Sequence, residues 1–209
     1  GHCKEAQGES RNRITNLGFD PFYGRAVGLD FTNTCALQAR QYMTSSNVSD
    51  RDLAGVVARA RRCGGNNPFA NARQPVDPGE VMASPMLCDP IRRLHAWPVS
   101  DGAVGMLLAS EERAGEFTDK PVWITGFSNC MDSYFLGDRN LVGNFALRKA
   151  TGRACARAGI ANPAEAFDVV ELTDAFAYQQ PLWLEGLGLC GEGRGGEFLR
   201  EGGPGKCGV

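Results

Sequence analysis

The stretch Ser100-Asp101-Gly102-Ala103-Val104-Gly105-Met106-Leu107-Leu108-Ala109-Ser110-Glu111-Glu112 decides the fold. A polar turn opens into a run, 103–109, that is apolar apart from one glycine and shows no alternation. A short continuous apolar run is the pattern of a strand covered on both faces. Ser110-Glu111-Glu112 then starts a short helix. Downstream, Val122 to Phe127 reads as a second strand and Val169-Val170-Glu171-Leu172 as a third. Between them a helix is expected over 139–158, with Leu141, Phe145, Leu147, Ala150 and Ala154 inward. Gly159 ends it and Asn162-Pro163 marks the turn. A further helix is expected from about Ala175 to Leu187. Upstream, residues 30–43 form a partly amphipathic helix. Ser49-x-x-Asp52 is a variant capping box, and Leu53, Val56, Val57 and Ala60 follow at i, i+3, i+4 and i+7. That predicts a helix over 50–62, stopped at Gly64-Gly65, with Arg59, Arg61 and Arg62 on a solvated face. Residues 1–28 read as loop. Residues 64–100 hold six of the eleven prolines, so they read as a long excursion of the kind that often carries function. Strand and helix alternate, which implies α/β layers.

Composition narrows the function. The chain has 209 residues, enough for one large domain or two small ones. Hydrophobic residues make up 43% and charged residues 22%, so a folded core is expected rather than disorder. The formal net charge of −2 argues against a broad nucleic-acid footprint. The 27 glycines follow no G-X-Y period, which excludes collagen. Eight cysteines stand at 3, 35, 63, 88, 130, 155, 190 and 207, and no two have the C-x-x-C spacing. Zinc-ribbon and thioredoxin motifs are therefore unsupported, and buried free thiols are the reading. No apolar run approaches the roughly 20 residues of a membrane helix. A reduced, cytoplasmic protein is expected. The chain begins without Met and closes on Gly202-Gly203-Pro204-Gly205-Lys206-Cys207-Gly208-Val209, so an internal segment of a longer protein is expected.

Several of these blocks together resemble thiolases, especially the sterol-carrier-protein type and its bacterial and archaeal acetyl-CoA acetyltransferase-like relatives. Ser-Asp-Gly-Ala opening a buried strand and Ser110-Glu111-Glu112 after it are similar to that family. So is Lys120-Pro121-Val122-Trp123-Ile124, at the first strand of the family's C-terminal half. Asp168-Val169-Val170-Glu171-Leu172-Thr173-Asp174-Ala175-Phe176-Ala177 resembles its Val-Glu-x-His-Asp-x-Phe block. Glu185-Gly186-Leu187-Gly188-Leu189-Cys190-Gly191-Glu192-Gly193 resembles its Glu-x-Leu-Gly-Phe-Cys stretch, read here as structural. Upstream, Asp20-Pro21-Phe22-Tyr23 through Gln41-Tyr42-Met43 is similar to the stretch before the family's loop region. The resemblance covers nearly the whole chain in the same order. It implies an α/β thiolase fold, two related halves of mixed five-stranded sheets layered with helices, only partly covered by this chain. Residues 1–98 would be the loop and helical region of the N-terminal half. Residues 99–118 would be its last strand and helix, and 119–209 the start of the C-terminal half. Val104, Met106, Leu107, Val122 and Ile124 should then be almost fully buried.

The resemblance also implies chemistry. It points to an acyl-CoA C-acyltransferase that cleaves or forms a β-ketoacyl-CoA, in lipid degradation. One alternative is a thiolase-fold retro-aldolase acting on a β-hydroxyacyl-CoA side chain such as a steroid one. Another is a non-catalytic thiolase-like subunit. Coenzyme A enters as substrate, with no tightly bound cofactor and no metal. A homodimer and a small zinc-ribbon/OB partner are implied. The family's nucleophilic cysteine would lie upstream of residue 1, so none of the eight cysteines is assigned that role. Where the family has a catalytic histidine this chain has Thr173. Its hydroxyl could hold a water or polarise a thioester oxygen, but it cannot carry a proton near neutral pH as histidine can. Tyr178 is the second catalytic candidate, a phenol able to donate to a carbonyl, with Tyr134 a weaker one. Trp97 and Ser100 are placed beside the coenzyme A arm, although a core tryptophan would explain Trp97 equally. His95 reads as a loop histidine with no catalytic part, and His2 gets no role. Thr173 and Tyr178 are expected to face one cavity, with Trp97 and Ser100 on its coenzyme side.

Overall fold

The computed structural model describes residues 14–203. The loop reading of 1–13, His2, Cys3 and Cys207 lie outside the described residues. The first long helix, α1, runs Phe31–Ser45 and is started by a reciprocal cap. The Asp30 carboxylate accepts the Asn33 backbone N–H, and the Asn33 amide oxygen accepts the Asp30 N–H, both at 2.8 Å. Helix α2, Asp50–Gly64, begins at the Ser49/Asp52 box and stops at Gly65, close to the expected bounds. Leu53, Val56 and Val57 are buried as expected, but Ala60 is exposed and Ala54 takes the fourth core place. Each cap satisfies backbone donors that a helix start otherwise leaves unpaired.

The excursion over 64–100 is not structureless. Asp77 caps a short helix α3, Pro78–Ala83, whose first residue is proline, where no N–H is needed. A two-stranded antiparallel hairpin follows, β1 Met86–Cys88 and β2 Ile91–Arg92, then a 3₁₀ turn Arg93–His95. Further on come α4 Glu111–Ala114, α5 Phe145–Ala158, α6 Pro163–Ala166, α7 Gln179–Gly186 and α8 Gly195–Arg200. The core gathers Tyr42, Leu53, Val81 and Ile91 from the first part of the chain with Phe176, Tyr178 and Leu182 from the last.

The three expected strands are the main correction. Residues 101–109, 121–127 and 168–172 form no ladder among the described residues. Val104 is 96% exposed, Met106 81%, Leu107 72%, Val122 94% and Ile124 67%. The apolar pattern is that of covered strands, but a strand is closed by a neighbour's backbone and not by its own. Here the described residues supply none. Run 122–129 lies against α5. Arg157 donates to the Phe127 carbonyl and Arg153 to that of Asn129, and a Cβ at Gly126 would collide with the Ala154 carbonyl oxygen. Helix α5 also starts later than expected, after Asn144 in a left-handed turn at φ 50°. Phe145 is exposed, and in this helix only Cys155 is buried. Cys35, Cys88, Cys130, Cys155 and Cys190 are free thiols, with Cys35 and Cys155 buried. Cys63 is disulfide-bonded, which corrects the all-thiol reading.

Glu185 ties the two ends of the chain together. It is buried, and its carboxylate accepts three hydrogen bonds: Tyr42 Oη at 2.6 Å, Gly195 N–H at 2.8 Å and Gly193 N–H at 2.8 Å. A buried carboxylate with three donors is satisfied, where an unpaired one would be strongly destabilising. Gly195 must be glycine, because a Cβ there would lie 2.5 Å from Pro181 O, 2.6 Å from Tyr42 Oη and 2.7 Å from Glu185 Oε1. The structural reading of the 185–193 stretch holds.

Candidate active-site segment

Residues Thr173–Gln179 cross between α1, the 95–97 segment and α7. Ala96 and Phe176 form an antiparallel bridge. Trp97 N–H donates to Ala175 O at 2.9 Å, and Ala177 N–H donates to His95 O at 2.9 Å. On the other side the Trp183 indole N–H donates to Thr173 O at 3.1 Å. Phe31 from α1 lies against Phe176, ring centres 5.5 Å apart. The expected helix start at Ala175 is therefore wrong. These residues spend their backbone groups on the bridge, and α7 begins only at Gln179.

Thr173 is exposed at the open end of this segment, and Trp97 is 56% exposed beside it. That rules out the core reading of Trp97. Ser100 is exposed three residues further along, and Tyr134 is exposed as well. Tyr178 goes the other way. It is 1% exposed, and its hydroxyl donates to Gln38 Oε1 at 2.7 Å and receives Gln179 Nε2 at 3.4 Å. Burial, with the Cys35 thiol alongside, pushes the phenol well above its ordinary range, and burial pushes the Cys35 thiol up too. The structure thus brings Trp97 beside the Thr173–Ala175 run, while Tyr178 is turned into the core and does not share an open mouth with Thr173.

Four side chains were missed at the sequence level. Asp174, next to Thr173, is half-buried, and burial raises its carboxyl above the ordinary value. Gln38 and Cys35 meet Tyr178 across about 140 positions of sequence, which no local pattern announces. A lone acid in the apolar run Leu182-Trp183-Leu184-Glu185 was the available signal for Glu185. His95 is buried, and its Nδ1 accepts the Arg92 N–H at 3.2 Å. Burial lowers its pKa, so it stays neutral at physiological pH. Among the described residues no three His, Cys, Asp or Glu side chains gather as a metal site, and no helix is long and apolar enough to cross a membrane.

Comparison with known proteins bears on the same residues. Residues 129–208 match the family described as thiolase C-terminal domain-like. An acetyl-CoA acetyltransferase of Methanothermobacter thermautotrophicus is 30% identical over 175 residues, 84% of this chain and 45% of that protein. The benzoylsuccinyl-CoA thiolase subunit BbsB of Thauera aromatica is 30% identical over 86% of this chain and 47% of its own length. A 17-hydroxy-3-oxo-4-pregnene-20-carboxyl-CoA lyase of Mycobacterium tuberculosis is 30% identical over 93% of this chain and 53% of its own length. The chain thus spans about half the length of these curated relatives. A solved structure titled Ltp2-ChsH2(DUF35) aldolase superposes with a TM-score of 0.74 at 20% identity, over 96% of this chain and 52% of that one, which speaks for the fold alone. The shared blocks, the family match and the superposition agree: the chain belongs to the thiolase superfamily and covers part of a thiolase fold.

Proposed function

We propose that this chain is part of an acyl-CoA C-acyltransferase that cleaves or forms a β-ketoacyl-CoA, with Thr173 at the thioester. In this reading a carbon–carbon bond breaks, the acyl group passes to coenzyme A, and the other fragment leaves as an enolate. The Thr173 hydroxyl donates to the oxygen that gains negative charge, or holds the water that does so. The observation that carries the reading is how Thr173 is presented. Its side chain is exposed while its own carbonyl and the carbonyl of Ala175 are tied down by Trp183 and Trp97. A donor fixed before the reaction is what stabilises a developing oxyanion. Trp97 and Ser100, exposed nearby, are assigned to the coenzyme A arm, with the tryptophan supplying flat apolar area. Asp174 joins the site as a half-buried carboxyl whose pKa burial raises above the ordinary value.

A second reading, a retro-aldol lyase acting on a β-hydroxyacyl-CoA, is favoured by one observation. The lyase relative matches 93% of this chain at the same 30% identity as the acetyltransferase. A homodimer and a small zinc-ribbon/OB companion complete the proposal, and the superposed assembly carries a DUF35 component in its title. The test assays the intact enzyme with β-ketoacyl-CoA plus coenzyme A and, separately, with β-hydroxyacyl-CoA. Thr173→Val keeps the shape and removes the hydroxyl, and should lower turnover by about 10²–10³-fold. Unchanged turnover would sink the role of Thr173. Tyr178→Phe should do little to thiolysis. Cleavage of β-hydroxyacyl-CoA with no thiolysis of β-ketoacyl-CoA would establish the lyase instead, and no turnover with either thioester would leave the non-catalytic subunit.

A further inference from the structure

We propose that His95 is a positioning residue for Thr173, acting through its ring on the turn from which the Thr173–Ala177 segment hangs. The role rests on the Thr173 reading above and names what holds that residue in place. Residues 95–97 grip the segment at two points, both 2.9 Å: Ala177 N–H donates to the His95 carbonyl, and Trp97 N–H donates to the Ala175 carbonyl. Ala96 lies between them, bridged to Phe176. Thr173 stands two residues beyond the Ala175 contact with its side chain exposed, and the Trp183 indole bond to its carbonyl is the second hold. The direction of its hydroxyl therefore follows the placing of residues 95–97. A donor stabilises a developing charge best when its direction is set before the reaction begins.

The ring sets that placing. His95 is buried and neutral, so Nδ1 has a lone pair to offer. It accepts the Arg92 N–H at 3.2 Å and closes the 3₁₀ turn Arg93–His95. Neighbouring N–H groups find other acceptors. Arg93 N–H donates to the Pro85 carbonyl at 2.8 Å, Leu94 N–H to Ser84 Oγ at 3.3 Å and Ala96 N–H to the Arg93 carbonyl at 3.3 Å. Arg92 is itself fixed to α2, its guanidinium donating to Asp50 Oδ2 at 3.3 Å and to the Ser84 carbonyl at 3.4 Å. The imidazole thus ties the turn that carries the site segment to a residue anchored on α2. Packing alone does not account for a histidine here. Its Nε2 is buried with no hydrogen-bond partner among the described residues, and a leucine would fill the space without burying an unpaired N–H. What histidine adds is the acceptor.

The experiment is a double-mutant cycle on kcat in the intact enzyme, using the thioester it turns over and melting curves to show each variant folded. His95→Leu removes the acceptor. His95→Gln places it one bond too far out and keeps a polar side chain there, should the leucine variant not fold. Either should lower kcat about tenfold or more. His95→Asn, whose Oδ1 falls near the place of Nδ1, should restore most of that loss. In a Thr173→Val background the same two variants should change kcat by less than about twofold, because no hydroxyl is left to aim. A residue that only stabilised the fold would give losses that multiply with that of Thr173→Val. If Thr173→Val lowers turnover but the His95 variants turn over like the parent, or their losses persist in full beside it, His95 positions nothing and the Thr173 reading stands. If Thr173→Val changes nothing, or neither thioester is turned over, both fall together.

Discussion

Helix α2 and the run 103–109 each gather apolar residues between polar turns, yet those residues end in opposite states. In α2, Leu53, Ala54, Val56 and Val57 are buried beneath caps that close its first turn. In 103–109, Val104, Met106, Leu107 and Leu108 stand in solvent. The difference lies in where each segment finds its hydrogen-bond partners. A helix pairs its backbone with residues four positions away and needs a neighbour for one stripe only. A strand pairs with a distant segment and, in a layered α/β fold, needs cover on both faces. The described residues therefore keep their helical packing while the run 103–109 joins no ladder.

The sharpest way to break that contrast is a pair of truncations. Leu182→Ala, at a site with no exposure, should destabilise the protein by about 2–5 kcal/mol. Leu107→Ala in the 209-residue chain should stay within about 0.5 kcal/mol, as at other exposed sites. The same Leu107→Ala in a chain of the relatives' full length should rise toward the Leu182→Ala value, because strands from the other half would then cover it. Chemical denaturation of the three variants, each against its own parent, reads this directly. Equal small effects of Leu107→Ala in both lengths would remove the covered-strand account.

The Glu185 cradle sharpens the packed side of the comparison. Tyr42→Phe removes one donor from a buried carboxylate and should cost about 1.5–3 kcal/mol. Gly195→Ala adds a methyl where three heavy atoms already lie within 2.7 Å, and should cost about 1–3 kcal/mol. If either variant melts with the parent, the cradle does not hold α7 to α1.

The smallest expected effect is a pH dependence. Burial depresses the folded-state pKa of His95 below its unfolded value of about 6.5. Above that pH both states are neutral at this site and its contribution is constant. As pH falls below about 6.5 the unfolded chain takes up the proton first, so stability declines until the folded pKa is reached. Asp52 behaves differently. Burial pulls its carboxyl upward, but the Ser49 N–H and hydroxyl and the Arg200 guanidinium outweigh burial and hold it below the usual range. Its contribution is present above about pH 4 and fades as pH falls through the folded value. Denaturant melts from pH 8 to 5 should show a decline that His95→Gln flattens. A decline unchanged in that variant would assign it elsewhere.

What was readable from the residues follows from interaction range. The Ser49-x-x-Asp52 box, the apolar spacing after it and the stop at Gly159 are local signals, and α2 and the end of α5 appear where they point. The ordered motif blocks were enough to reveal the thiolase family. Thr173 was legible as a departure at a motif position, and it emerged at an exposed end. Tertiary structure alone decided the rest. The Ala96–Phe176 bridge delayed α7, because backbone groups committed to a distant segment cannot also start a helix. Gln38, 140 positions away, turned the Tyr178 hydroxyl inward. Tyr42 and two glycine N–H groups made a lone acid in an apolar run a buried anchor. Each of these depends on partners far apart in sequence, so the residue pattern could announce the need for a partner but not which one would meet it.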